Sequence, residues 1–213
     1  MNKNILIALS LSTLACACEY EDGLKYYQQS QYTKAKECFE QISNTKSSQS
    51  SKAMLAIGVM YNNGDGVNRD INKSIKWFEK SALKGNMQAS NKLGNYYASK
   101  EKYKQSFKWF EKSALKGNSE ASFYLGYFYT GGLGVDRDLS KSMSWYEKSA
   151  LKDNSKAQLN LAFMYIGGQG TKVDYAKASY WAYKAKKLGN PKANIMIEEF
   201  KLDEYKDKKK DSK

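Results

Sequence analysis

Histidine is absent from this 213-residue chain, proline occurs once, as Pro191, and arginine only at Arg69 and Arg137. Without histidine the chain lacks the usual proton shuttle at neutral pH and the commonest zinc ligand, which counts against enzymatic and metal chemistry. The shortage of arginine counts against nucleic-acid reading, which leans on the bidentate guanidinium. Three cysteines, at 16, 18 and 38, form no even-numbered framework, so disulfides are not the main staple. A Cys18–Cys38 bond is conceivable in an oxidising compartment; the simpler reading of Cys38 is a buried thiol. Long apolar runs are missing too. The only one, Ile5 to Ala15, has 11 residues, too few for a bilayer-spanning helix, which needs about 20.

What is present supports a folded, exported protein. Hydrophobic residues make up 41% and aromatics 14%, with 17 tyrosines, enough for a sizeable core. The net charge of +13 is carried almost wholly by lysine. Such a surplus reads first as a solvated face, then as attraction to an acidic protein partner or anionic lipid headgroups. Lys3, the apolar run and the small residues Ala15-Cys-Ala17 make residues 1–17 a secretory signal peptide. Two processing routes stay open. Cleavage before Cys18 suits Ala15 and Ala17. Thr13-Leu-Ala-Cys16 is similar to a lipoprotein site and would leave Cys16 lipidated, although Thr13 stands where leucine is expected.

Repetition is the strongest signal. Ala53-MLAIGVMY, Ala89-SNKLGNYY, Ala121-SFYLGYFY and Ala157-QLNLAFMY begin 36, 32 and 36 residues apart, and Ala193 follows 36 later. Each is trailed by a second motif: Trp77-FEKSALKGN, Trp109-FEKSALKGN, Trp145-YEKSALKDN and Trp181-AYKAKKLGN. A degenerate copy precedes them, because Gly23, Tyr26, Tyr32, Ala35 and Phe39 match Gly94, Tyr97, Tyr103, Ser106 and Phe110 at a constant offset of 71. Each unit reads as two helices. Ala121, Leu125, Gly126 and Tyr129 fall on one helical face. Asn72 and Ser140 are the expected caps of second helices, and Lys-Gly-Asn closes them. The predicted organisation is a degenerate repeat over 18–50, repeats over 53–86, 89–118, 121–154 and 157–190, an end helix over 191–205, and a disordered lysine-rich tail over 206–213.

The pattern Ala-x-x-x-Leu-Gly-x-x-Tyr, Gly-x-Gly-Val, Lys-Ser-x-x-Trp-Phe/Tyr and Ser-Ala…Asn, nearly intact over 53–86 and 121–154, resembles the Sel-1-like repeat family, relatives of tetratricopeptide repeats. The resemblance implies an all-α, right-handed superhelical α/α solenoid with a concave face. It implies a protein-binding adaptor and no enzyme, since such arrays serve unrelated pathways. Small exported bacterial members are similar to periplasmic immunity proteins that inhibit a toxic secreted effector such as a phospholipase.

Chemical motifs read more simply as structure. Ser81-Ala-Leu-Lys84 spells the S-x-x-K of β-lactam-binding enzymes, but it recurs at Ser113 and Ser149 with the repeat, and no Ser-Asp-Asn or Lys-Thr-Gly accompanies it. Family members named for penicillin binding carry cysteine pairs that this chain lacks. The loop Asn62 to Asp70 has oxygen donors without the closing glutamate of an EF-hand. Trp77, Trp109, Trp145 and Trp181 read as inter-repeat core, and the Glu79/Lys80, Glu111/Lys112 and Glu147/Lys148 pairs as exposed faces with weak ion pairs. No catalytic group, cofactor or metal is expected.

One row departs from a solvated surface. The third and seventh residues of each first helix are Leu55/Val59, Asn91/Asn95, Phe123/Tyr127 and Leu159/Phe163, apolar or amide throughout. By analogy with tetratricopeptide arrays they line the concave groove. The alternative is that the superhelix closes and buries them; Tyr103, Phe107 and Phe128 read equally well as core. The expected partner is a protein, acidic or an effector enzyme, met in a bacterial periplasm. No nucleic acid is expected, and a membrane only through an N-terminal lipid on Cys16.

Overall fold

A computed structural model describes residues 18–206; the signal segment with Cys16, and the tail beyond residue 206, lie outside them. The described residues are helical, with no strand: α1 (Tyr20–Gln28), α2 (Tyr32–Ser43), α3 (Ser50–Asn63), α4 (Ile71–Leu83), α5 (Met87–Ser99), α6 (Tyr103–Leu115), α7 (Ser119–Gly131), α8 (Leu139–Ala150), α9 (Ser155–Gly167), α10 (Tyr175–Lys187), α11 (Pro191–Glu199) and a short 3-10 helix (Leu202–Tyr205). Each helix packs on the next along the chain, which is the pattern of a solenoid. The first helices α5 and α7 also meet directly, more than any two second helices do. The first helices are called the inner row and the second helices the outer row.

Asparagines start the first helices. Asn86 and Asn118 Oδ1 accept the backbone N–H of Ala89 and Ala121 at 3.0 and 2.8 Å, so each Gly-Asn pair ends one helix and opens the next. The second helices begin differently from the sequence expectation. Asp70, Asp138 and Asp174, not Asn72 and Ser140, accept the backbone N–H of Lys73, Lys141 and Lys177, each at 2.9 Å. Ile71 and Leu139 already lie in the first turn, so the cap sits two residues earlier, and a carboxylate there also suits the helix dipole. Those backbone bonds hold the Asp70 and Asp138 carboxyls below their ordinary range.

Within each repeat the two helices meet at a glycine facing a ring. A Cβ placed on Gly58, Gly94 or Gly126 would lie 2.6 Å from Phe78, Phe110 or Tyr146, and one on Gly23 would lie 2.5 Å from Phe39. The bare backbone also frees a carbonyl: Ser106 Oγ donates to Gly94 O, and Ser142 Oγ to Gly126 O, both at 2.8 Å. The fifth repeat has Ala162 and Ala182 in the equivalent places, both fully buried. The extra methyl on one helix is matched by loss of the ring on the other.

Between repeats, the tryptophans do the joining. Trp77, Trp109 and Trp145 are half-buried and pack on core clusters centred on the preceding repeat, while Trp181 is buried outright. Phe107 and Phe128 are core, with Tyr103 edge-on to Phe128. Carboxylates of one repeat accept tyrosine hydroxyls of another: Glu79 from Tyr97 and Glu147 from Tyr165, both at 3.4 Å, and Asp65 from Tyr27. The expected Glu79/Lys80-type ion pairs are not what these residues make; Lys80 instead lies over Trp77. At the open end α11 and the 3-10 helix cover the fifth repeat with buried Met196, Ile197 and Leu202. At the other end Cys18 is disulfide-bonded to Cys38, with Cα atoms 5.5 Å apart. This corrects the buried-thiol reading, and closing that loop is worth about 3 kcal/mol by chain entropy.

Gly126→Ala is expected to cost about 1–3 kcal/mol in denaturant unfolding, because Tyr146 must move. In a Gly126→Ala/Tyr146→Ala double variant the two losses should fall short of additive by about 1 kcal/mol or more. Strict additivity would show that the helices do not touch there. Burial, with Asp65 and Glu147 respectively, pushes Tyr27 and Tyr165 up to about 12. Both phenols are raised above the ordinary value of 10.0, so their contribution is complete below that pH and is lost as pH rises through about 12. Tyrosinate absorbance with parallel unfolding curves should show late-titrating tyrosines, Tyr27 and Tyr165 among them, and a matching alkaline loss of stability.

Candidate functional site

The eight residues of the proposed groove lie on the inner row but fall into two sets. Of the third-position residues, Leu55, Asn91 and Leu159 are buried, and Phe123 is half-buried against Tyr124 and Tyr146. The equivalent residue after the last repeat, Ile195, is 63% exposed. The following repeat is thus what covers this position, so the wall is partly filled by the protein's own neighbours. The seventh positions stay open. Val59 and Asn95 are half-buried, and Tyr127 and Phe163 are 50% and 49% exposed. Phe163 is steadied edge-on by Phe200, with ring centroids 6.2 Å apart.

Two hollows open on the same row. One of about 200 Å³ lies between α1 and α3, lined by Tyr20, Leu24, Tyr27, Phe39, Leu55, Ala56 and Val59, and is almost wholly apolar. Another of about 420 Å³ spans α7, α9 and the start of α11, where Phe123 and Leu159 meet Lys156, Asn160 and Lys192. Four of the eight expected residues line one or the other. Tyr20 and Leu24 were not among those eight. Carrying the offset of 71 two steps further would have found them, since they align with Asn91 and Asn95. Asn91 is the polar member of the buried set: its Nδ2 donates to Glu120 at 2.6 Å, while its buried Oδ1 has no partner.

The serine–lysine motif is occupied with structure. Ser81, Ser113 and Ser149 donate to the backbone carbonyls of Ser51, Met87 and Ser119 at 2.6, 2.8 and 2.6 Å. Lys116 and Lys152 reach the carbonyls of Gly85 and Gly117, both at 2.6 Å, and Lys84 reaches Ser50 Oγ at 2.8 Å. A hydroxyl and an amine each pinned to a main-chain or neighbouring oxygen are joints between helices, not a nucleophile with its base. In the loop Asn62 to Asp70, Asp65 accepts from Tyr27 and from Asn63. No group of three or more metal-ligating side chains occurs among the described residues.

The Sel1 repeat pattern matches residues 10–44, 51–86, 88–118, 119–154 and 155–190. The chain belongs to the Sel1-repeat family. Among solved structures, a protective antigen of uropathogenic Escherichia coli with the same repeat fold is 31% identical over 84% of this chain, with a TM-score of 0.78. The chain spans 39% of that protein's length. A Sel1 repeat protein from Oxalobacter formigenes is 22% identical over 84% of this chain and 74% of its own, with a TM-score of 0.77. No curated protein matches the sequence. Sel1 repeats bind other proteins, and the helix-pair array seen here is that scaffold. No helix among the described residues is long and apolar enough to cross a membrane.

Ser81→Ala, Ser113→Ala and Ser149→Ala should each cost about 1 kcal/mol of stability through the lost hydrogen bond. The purified protein should leave nitrocefin intact. Nitrocefin hydrolysis that disappears in any of the three variants would reinstate the enzyme reading.

Proposed function

We propose that this Sel1-repeat protein is exported to a bacterial periplasm and holds a protein partner along its inner row. The observation that carries the reading is Tyr127 and Phe163. These are two rings left half in water, one repeat apart, on the row whose neighbouring third positions are covered. Tyrosine and phenylalanine in that state are common anchors of an interface. The apolar hollow beside Val59 and the lysine-rimmed hollow beside Phe123 extend the same surface in both directions. Lysines flanking it would steer a partner of acidic surface. Export rests on the N-terminal run and agrees with the Cys18–Cys38 bond, since disulfides persist in oxidising compartments.

Pull-down from periplasmic extract is the direct test. Tyr127→Asp with Phe163→Asp should weaken capture by at least about 30-fold. The helical circular-dichroism spectrum should be unchanged, because both side chains are about half exposed. Undiminished capture sinks the groove assignment. A captured secreted enzyme, inhibited one to one, would make the protein an immunity factor; an envelope component would make it an adaptor.

A further inference from the structure

A second surface is left over on the opposite side of the array. The C-terminal ends of α4 and α6 carry Leu83 and Leu115, and Leu151 immediately follows α8; they are 75%, 74% and 69% exposed. The alanine just before Leu83 and Leu115, and before Leu151, is buried each time, so these leucines point away from the core in three successive repeats. Charge is sorted onto the same helices. The second helices α4, α6, α8 and α10 carry twelve lysines against three glutamates, whereas α3, α5, α7 and α9 carry three lysines against one glutamate. Two of those three glutamates, Glu79 and Glu147, are turned to tyrosine hydroxyls. Three residues before each exposed leucine, on the same helical face, Lys80, Lys112 and Lys148 lie 4.4, 4.4 and 4.0 Å over the rings of Trp77, Trp109 and Trp145. On α4 these groups border a hollow of about 330 Å³ lined also by Lys73 and Lys76.

We propose that this outer face docks on an anionic lipid bilayer. The three leucines enter the headgroup boundary and the lysines engage lipid phosphates. An amine row beside an apolar row, with half-buried indole rings beneath the amines, is the composition of an interfacial surface. A nucleic acid would use the lysines but leave the leucines without a purpose. This contact is separate from any acyl chain on Cys16 and leaves the inner row free for its guest.

The test uses the full chain carrying Cys16→Ser, so that no acyl chain is attached. It is sedimented with phosphatidylglycerol or phosphatidylcholine vesicles, some with brominated acyl chains. Binding should favour the anionic vesicles and weaken with salt, and brominated chains should quench tryptophan fluorescence. Leu83→Ser/Leu115→Ser/Leu151→Ser should lower affinity at least roughly fivefold and abolish the quenching. Lys80→Ala/Lys112→Ala/Lys148→Ala should also weaken binding at least roughly fivefold. Residues 1–17 are common to every variant, so differences between variants report on this face alone. The proposal is overturned by equal affinity of the parent and the leucine variant, by equal binding to neutral vesicles, or by unquenched tryptophans. Leucine-dependent binding to an acidic protein with none to vesicles would overturn it as well.

Discussion

No single repeat in this chain can bury its own apolar surface. A pair of helices of about a dozen residues covers one face of each helix and leaves the others bare. Trp77, Trp109 and Trp145 must therefore lean on the repeat before, Leu55 and Leu159 must be roofed by the repeat after, and α11 must close the far end. The exposed Ile195 shows what any third-position side chain becomes when no successor arrives. Cores, interhelical serine bonds and lysine clasps all follow from this dependence of each unit on its neighbours.

The same dependence explains what was legible in the sequence. The repeat period, the helix pairs, the glycine closures and the structural character of the serine–lysine motif were all visible, because each recurs and recurrence marks a shared packing environment. Three things were not. The caps of the second helices fell two residues before the expected positions, because where the first turn begins depends on which residue still hydrogen-bonds into it. The Cys18–Cys38 bond is made once and leaves no period to read. The exposure of the third and seventh positions was not legible, because the sequence of one repeat does not say how much of them the next repeat will cover. Tyr20 and Leu24 escaped because the first copy is degenerate, although their register was computable.

The two proposed contacts divide along the two rows of helices. The inner row keeps amide and aromatic groups with little net charge, and Asn91 is left with a buried acceptor unsatisfied. The outer row concentrates lysine and holds part of it on indole rings. Recognition of a partner and contact with a charged surface therefore need not compete for the same residues. A substitution on either row can be judged separately, provided it spares the glycine–ring contacts between them.

Those contacts have a genetic consequence. Gly58 and Phe78, Gly94 and Phe110, and Gly126 and Tyr146 each lie inside one repeat, so both halves of the fit travel together when a unit is copied or deleted. Array length can thus drift by unequal recombination without separating the two halves of this fit. In the fifth unit, Ala162 and Ala182 show the two halves diverging in concert. Only the termini, the disulfide-tied start and the α11 lid, resist being shuffled as interchangeable cassettes.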